Sequence, residues 1–519
     1  MKGRHLAIAA ALAVLLAAQA GWSAATTSGT YDETTYLGFG RALYRSLDGA
    51  LLAGWGTAPL PVLLTTAAPV FAGSPSYPRA IALARASAIV FIAVPLVIVI
   101  YWTLLDALGA TAAATGTALV CLSPNILAHA SLATTDICFM AAALAAMAAL
   151  VRFLEQPSIG SRALLGLSLA VALAAKYSAL SLFVIVAVAS FAVRGRRPES
   201  AVRRAVGAVA LAAGFFGTAL LFAWMLLAFA LAPWGFPPIE NVRLPASLVG
   251  IGRQLHVQMV GEPGFLLGRR AVGGWWYYEP AALAMKSTPA ELVVIGAALV
   301  ALLGRWRGLR PRSVVWRIAF VVFAVIGITN RIPFGVRYVL VLVPLSIFLA
   351  ADWWFERGDT GGRQALVAGA LVAAQLVSAV SIGPHYLSYF NRFAGGADQG
   401  YLRLADSNVD WGQDLPALKV ELARLGAKRA LLSYFGTAPV DAYGVEADRW
   451  DGTVQDHFER WDWVAISATN LDGVFLPGDP FADFRALGPG ARAGYSILLY
   501  PTERDDVRRA MASAAARMR

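Results

Sequence analysis

The sequence predicts a polytopic α-helical membrane protein with a small α/β domain at its C-terminal end. Three observations carry that prediction. Of 519 residues, 58% are hydrophobic and only 14% charged, with a mean hydropathy of +0.61; a soluble chain would carry about a quarter charged residues. Apolar runs recur at lengths suited to bilayer helices. Residues 386–519 then change character and alternate helical with strand patterns.

Charge and cysteine content narrow the class further. Residues 1–385 hold 28 Lys and Arg against 14 Asp and Glu, whereas residues 386–519 hold 15 against 18. The net charge of +11 therefore belongs to the membrane part, where it sets orientation, and its distribution argues against nucleic acid as a partner. Cys121 and Cys138 fall inside apolar segments, so no disulfide framework follows.

Residues 1–22 combine a basic start, an apolar run from Leu6 to Ala20 and small residues near Ser23-Ala24-Ala25. A cleaved signal peptide has the same pattern. A retained helix is the reading adopted, because cleavage would leave Asp32 and Glu33 at a free N-terminus. Ten further spans are expected at 83–105, 111–128, 137–151, 163–175, 178–193, 205–231, 291–304, 314–329, 338–351 and 364–382. The stretch from Arg162 to Arg194 reads as two short helices. Only then do Arg194, Arg196, Arg197, Arg203 and Arg204 share a side with Lys2, Arg4, Arg152 and Arg162. Arg305, Arg307, Arg310, Arg312, Arg317, Arg357 and Arg363 join them there. This places the N-terminus in the cytoplasm and residues 386–519 outside a plasma (inner) membrane.

Three outer segments are long: 23–82, 232–290 and the tail. Such lengths usually carry function. In the first, Tyr36, Leu37, Leu43, Tyr44 and Leu47 recur at helical spacing, as in an amphipathic helix on a membrane. In the second, Gly273-Gly274-Trp275-Trp276-Tyr277-Tyr278 reads as an interfacial aromatic belt. Thr288-Pro289-Ala290-Glu291 reads as a capping box with proline at the first helical position, giving Glu291 a structural role. In the tail, Leu415 to Leu425 suits a helix, and 430–434, 463–467 and 495–500 suit strands. No nucleotide-phosphate loop, zinc-ligand spacing or internal repeat is evident.

Unusual polar residues gather at the outer helix ends. They are Asp32 and Glu33, His129 and Asp136, Lys176, Arg331 and Arg337 with the adjoining Tyr338, and His385. Polar groups at these depths are functional candidates. Each also has a structural reading. Asp32 and Glu33 suit a first helical turn, Asp136 a helix cap, Lys176 and Arg337 membrane anchors, and His129 a packed polar residue. The chemistry that fits them jointly is group transfer from a lipid phosphate. Lys176 and Arg337 supply cations for the leaving phosphate, and Asp32 supplies a base for an acceptor hydroxyl.

The acidic pair after the first helix resembles the signature of the GT-C membrane glycosyltransferases, and in particular family 39, the protein O-mannosyltransferase and aminoarabinose-transferase branch. The resemblance continues through Leu132-Ala133-Thr134-Thr135-Asp136, Ala174-Ala175-Lys176-Tyr177-Ser178, Gly335-Val336-Arg337-Tyr338 and Pro384-His385-Tyr386. Asp406-Ser407-Asn408-Val409-Asp410-Trp411-Gly412-Gln413-Asp414 is similar to a motif of bacterial members with a soluble tail. The resemblance implies an inverting transferase acting on the extracytoplasmic face. Its donor is a polyprenyl-phosphate-linked sugar, and its acceptor an envelope glycan, lipid or protein. It casts Asp32 as the catalytic carboxylate with Glu33 in support. No cofactor is required, and a divalent cation is compatible but not implied. The chain departs from the family pattern late in the first loop, where Gly56-Thr57-Ala58-Pro59-Leu60-Pro61 lacks an ionisable group. Two other classes compete: a transporter or lipid flippase, and a membrane-anchored sensor using Asp406, Asp410 and Asp414 to bind a cation or glycan.

Overall fold

The computed structural model describes residues 2–46, 50–73, 75–194, 200–231, 246–304, 306, 308–355, 362–451 and 457–519. Leu47, Arg196, Arg197, Arg305, Arg307 and Arg357 lie outside the described residues. Helical segments stand at all eleven expected spans, from Lys2–Thr26 through Tyr77–Leu108 to Gly362–Ile382. Among the described residues, six are long and apolar enough to cross a membrane alone, or seven if one bent pair counts as a span. The others, including Ile159–Ala175 and Leu342–Phe355, are apolar but shorter. Large apolar side chains such as Phe91, Val184, Val300 and Val377 are exposed on the helix flanks. Such extensive apolar flanks suit lipid rather than water. The chain is a multi-pass membrane protein.

Two local features shape the helix ends nearest the tail. The span expected at 111–128 is broken into Ala110–Cys121 and Pro124–Ala130, which meet at 67°. Ser123 caps the second piece by accepting from the Ile126 amide, and Pro124 occupies its first turn, so the local sequence starts a new helix. The stretch 162–194 forms two helices, Ile159–Ala175 and Leu180–Arg194. Lys176 sits between them in extended backbone. The capping box at Thr288 and Glu291 is formed as the sequence predicts.

The tail folds as helix, sheet, helix. With β1 (Pro263–Leu266) and β2 (Arg269–Val272) forming a hairpin in the second outer segment, the tail holds β3 (Ala430–Ser433), β4 (Asp448–Arg449), β5 (Trp463–Ser467), β6 (Ala491–Ala493) and β7 (Ile497–Pro501). The sheet order is β4-β3-β5-β7-β6, with β3 parallel to both neighbours and β7 antiparallel to both of its own. Strand side chains alternate between two apolar faces. Leu431, Val464, Ile466 and Leu498 pack with Val507 and Met511 of helix Asp505–Arg517. Leu432, Ala465 and Leu499 pack with Leu415 and Leu418 of helix Leu415–Arg424. Strands covered on both faces read as continuous apolar runs. The first of these cores also takes in Leu266, Tyr278 and Ala282, so the tail's core draws on residues before 386. The aromatic run 273–278 consequently does not act as one belt: Trp276 is exposed, while Tyr278 is buried under the tail.

The segment 23–82 forms the helix Tyr31–Ser46 at the expected spacing, but its apolar side is not laid on a membrane surface: Leu37 packs on Ala80 and Ile81, and Leu43 on Leu52 and Val62. A buried ion pair holds its start. Glu33 receives Arg85 at both oxygens, Nε to Oε1 at 2.8 Å and Nη2 to Oε2 at 2.7 Å. Glu33 also accepts from the Thr30 and Ala133 amides, and Arg85 donates to the carbonyls of Ala24, Thr27 and Ser28. Burial alone would raise the Glu33 pKa, but Arg85 and these amides hold it below the usual value. Both side chains are wholly inaccessible. Removing one partner of such a pair leaves an uncompensated buried charge, so Glu33→Gln or Arg85→Gln should each cost about 3–5 kcal/mol. The double variant should cost less than the sum. Thermal unfolding in detergent tests this, and unchanged melting of both single variants would refute it.

Candidate active site

The adjacent carboxylates of the first helical turn part company. Glu33 turns into the scaffold and caps the helix start through Thr30, so for this residue the helix-start reading holds. Asp32 faces the other way and pairs with Arg337, Oδ2 to Nη1 at 3.0 Å. Each carboxylate thus has its own arginine, and the mutual repulsion of neighbouring acids does not govern the pair. Glu33 and Asp32 are joined through the backbone they share.

Arg337 lies in the short turn Val336–Tyr338 between two apolar helices. Gly335 precedes it at φ 135°, where a Cβ would come within 2.7 Å of the Asn408 side chain. The guanidinium lies 4.5 Å from the centre of the Trp411 ring and 5.4 Å from that of Tyr338. Lys176 lies 4.9 Å from the same Tyr338 ring. It also bonds Asp136 at 2.6 Å, and Asp136 stands 3.9 Å from the buried His129.

The predicted residues therefore converge. Asp32, Arg337, Tyr338, Lys176, Asp136 and His129 form one continuous chain of contacts, although they come from four stretches distant in sequence. The Arg337–Asp32 and Lys176–Asp136 pairs each bring their cation to the Tyr338 ring, and His129 adjoins Asp136. Arg337 and Lys176 keep 10% and 21% of their side chains exposed, so the centre is sheltered but reachable. Among the described residues, Nε of Arg337, Oδ2 of Asp136 and Nδ1 of His129 have no hydrogen-bond partner. Buried polar atoms are rarely left so.

Arg331 and His385 stay outside this chain. Arg331 bonds the Met259 and Val260 carbonyls, and His385 faces Asp414 at 3.5 Å. The three tail aspartates also diverge: Asp410 accepts from Thr469 and Gly412, Asp414 from Tyr495 and Ser496, and Asp406 from Ser407. Among the described residues no group of three His, Cys, Asp or Glu is placed to hold a metal ion.

Residues that sequence reasoning passed over complete the surroundings. Tyr36, one turn beyond Asp32, brings its phenol to the same centre and bonds Thr57. Thr57 belongs to the loop stretch without ionisable groups, which therefore contributes a hydroxyl instead. Lys286 is buried and donates to the Leu387 and Asn408 carbonyls. Burial lowers its pKa to about 7. Tyr36 was visible as part of an amphipathic pattern; Arg85, Lys286 and Trp411 carried no local signal of their partners.

No family model and no curated protein matches the sequence. Among solved structures, the chain is similar to that of ArnT from Cupriavidus metallidurans, crystallised bound to undecaprenyl phosphate, with 13% sequence identity and a TM-score of 0.51. The alignment covers 96% of this chain and 98% of that one. At this identity the likeness concerns the fold, and it extends over membrane helices and tail together. The chain has the GT-C-like fold that its motifs led us to expect, with a small α/β domain at the C-terminal end.

Proposed function

We propose that this protein is a membrane glycosyltransferase of the family 39 type, moving a sugar from a polyprenyl-phosphate-linked donor to an acceptor hydroxyl or phosphate. The observation that carries this reading is the pair of cations, Lys176 and Arg337, gathered on one Tyr338 ring beside the carboxylate of Asp32. A departing phosphate needs fixed positive charge, and an incoming hydroxyl needs a base within reach. The polyprenyl phosphate bound to the structurally similar transferase supports the choice of donor lipid.

In this reading the donor phosphate enters between Arg337 and Lys176. Arg337 engages it through donors not used by Asp32, and Lys176 acts as a point charge. Asp32 accepts the acceptor proton as the new C–O bond forms at the anomeric carbon. The bond to the phosphate oxygen breaks on the opposite face, giving inversion, and the polyprenyl phosphate leaves as an anion held by the two cations. Asp136 and His129 orient Lys176 from behind. A transporter would instead gather its binding groups near the bilayer midplane on paired broken helices; these groups lie at helix ends.

Asp32→Asn keeps the shape and removes the base, so transfer should fall by ~10²–10⁴ while the protein stays folded. Near-normal turnover would end the base assignment. Arg337→Lys should weaken donor use despite its unchanged charge, and Arg337→Ala should weaken it further. Apparent donor affinity that is unchanged in both Arg337→Ala and Lys176→Ala would remove the phosphate site.

The reaction is proposed for the extracytoplasmic face, with the N-terminus cytoplasmic. Cys121 and Cys138 are buried, so introduced cysteines report cleanly. An impermeant thiol reagent on intact cells should label Val420→Cys in the exposed face of the tail and miss Glu155→Cys and Ser200→Cys. The reverse pattern would invert the topology and the face assigned to the site.

A further inference from the structure

The motif around Trp411 lies in the tail, yet its residues reach both halves of the candidate site. The Trp411 indole is 1% exposed and lies under the Arg337 guanidinium. Its main-chain carbonyl accepts from the amide of Tyr31, the residue before Asp32, at 3.0 Å. One residue thus touches Arg337 with its ring and the Asp32 turn with its backbone. Its neighbours repeat the pattern. Ser28, just ahead of the acidic turn, donates to the carbonyls of Gly412 and Gln413. On the other side, the Asn408 side-chain oxygen accepts from the Val336 amide, immediately before Arg337.

A second bridge runs above the first. Tyr31 stacks on Phe435, Phe435 stacks on Phe475, and Phe475 meets the edge of Phe334, with centroids 5.6, 5.6 and 5.9 Å apart. Phe435 and Phe475 belong to tail loops; Tyr31 adjoins Asp32, and Phe334 lies three residues before Arg337. The acidic turn and the arginine turn are therefore joined through the tail twice, by independent sets of atoms. Asp406 of the same motif is also close enough to feel both Arg337 and Asp32, its carboxyl pushed up to about 6 by burial against the pull of Arg337.

We propose that the tail is a clamp completing the donor site, with Trp411 the positioning residue that sets the Arg337 guanidinium against Asp32 and turns its remaining donors toward the donor phosphate. The inference rests on the donor reading for the identity of the ligand and on geometry alone for the clamp. A cation held on a desolvated indole face loses rotational freedom before ligand arrives, and that pre-organisation is what phosphate binding gains from the tail.

Two arms test it on the full-length protein in detergent. The first is a thermal-stability double-mutant cycle between Trp411→Leu and Arg337→Ala, which needs no ligand. Non-additive losses are expected, and additive losses would overturn the clamp. The second titrates undecaprenyl phosphate. Trp411→Leu should weaken binding ~tenfold, Trp411→Phe should restore most of it by returning an aromatic face, and Phe475→Leu should weaken it about two- to tenfold. If Trp411→Leu does not fold, Trp411→Phe serves in the cycle, and Phe475→Leu, at a ring 36% exposed, carries the titration. Folded variants of both residues that melt earlier but bind the lipid phosphate as tightly as the unaltered protein would make the tail merely structural and overturn the proposal. No binding by the unaltered protein, alongside an intact Trp411–Arg337 coupling, would overturn the donor reading while upholding the clamp.

Discussion

The Glu33–Arg85 pair is the constraint on which the surroundings of the candidate site depend. Two full charges with no solvent access are tolerable only when every polar atom is engaged, and here they nearly all are. Arg85 ties the end of the first membrane helix and the turn after it, through the carbonyls of Ala24, Thr27 and Ser28, to the acidic helix, through Glu33. Glu33 adds the Ala133 amide, and so the turn that leads into Asp136. Asp32, the neighbouring residue of the same helical turn, pairs with Arg337 instead.

Around the site itself the same physics is applied less completely. Asp32, Arg337, Asp136 and Lys176 alternate in sign, so no charge is buried alone, but several polar atoms remain unpaired. A fully satisfied network would be a more stable and a less useful one. Lys176 and Arg337 both lie within reach of the electron-rich Tyr338 ring.

The membrane helices explain why so much depends on their ends. Several are short for a bilayer, and the bend at Ser123-Pro124 turns His129 toward Asp136. Short and broken helices bring polar connecting turns to shared depth, where backbone groups need partners from neighbouring segments. The second outer segment and the tail provide them, through buried Lys286, Asn408 and the core that unites Tyr278 with the tail sheet.

Local chemistry in the sequence was enough to determine the membrane class, the positions of the apolar helices, the junction at Lys176, the capping box at Thr288 and Glu291, and the principal strands of the tail. Each of these rests on periodicity, capping residues or charge bias within a few residues of one another. The gathering of Asp32, Asp136, Lys176 and Arg337 was legible because ionisable groups at helix ends on one face are costly without a purpose. What tertiary structure alone decided was the partner of each charge. Nothing near Arg85 in sequence points to Glu33, 52 positions away, and nothing near Trp411 points to Arg337 or Tyr31. Adjacent Asp32 and Glu33 are alike as a local pattern, and only the packing of distant segments makes Glu33 part of the scaffold and leaves Asp32 partly accessible beside Arg337. Pairing of buried charge follows desolvation and geometry in three dimensions, which leave no period in the chain.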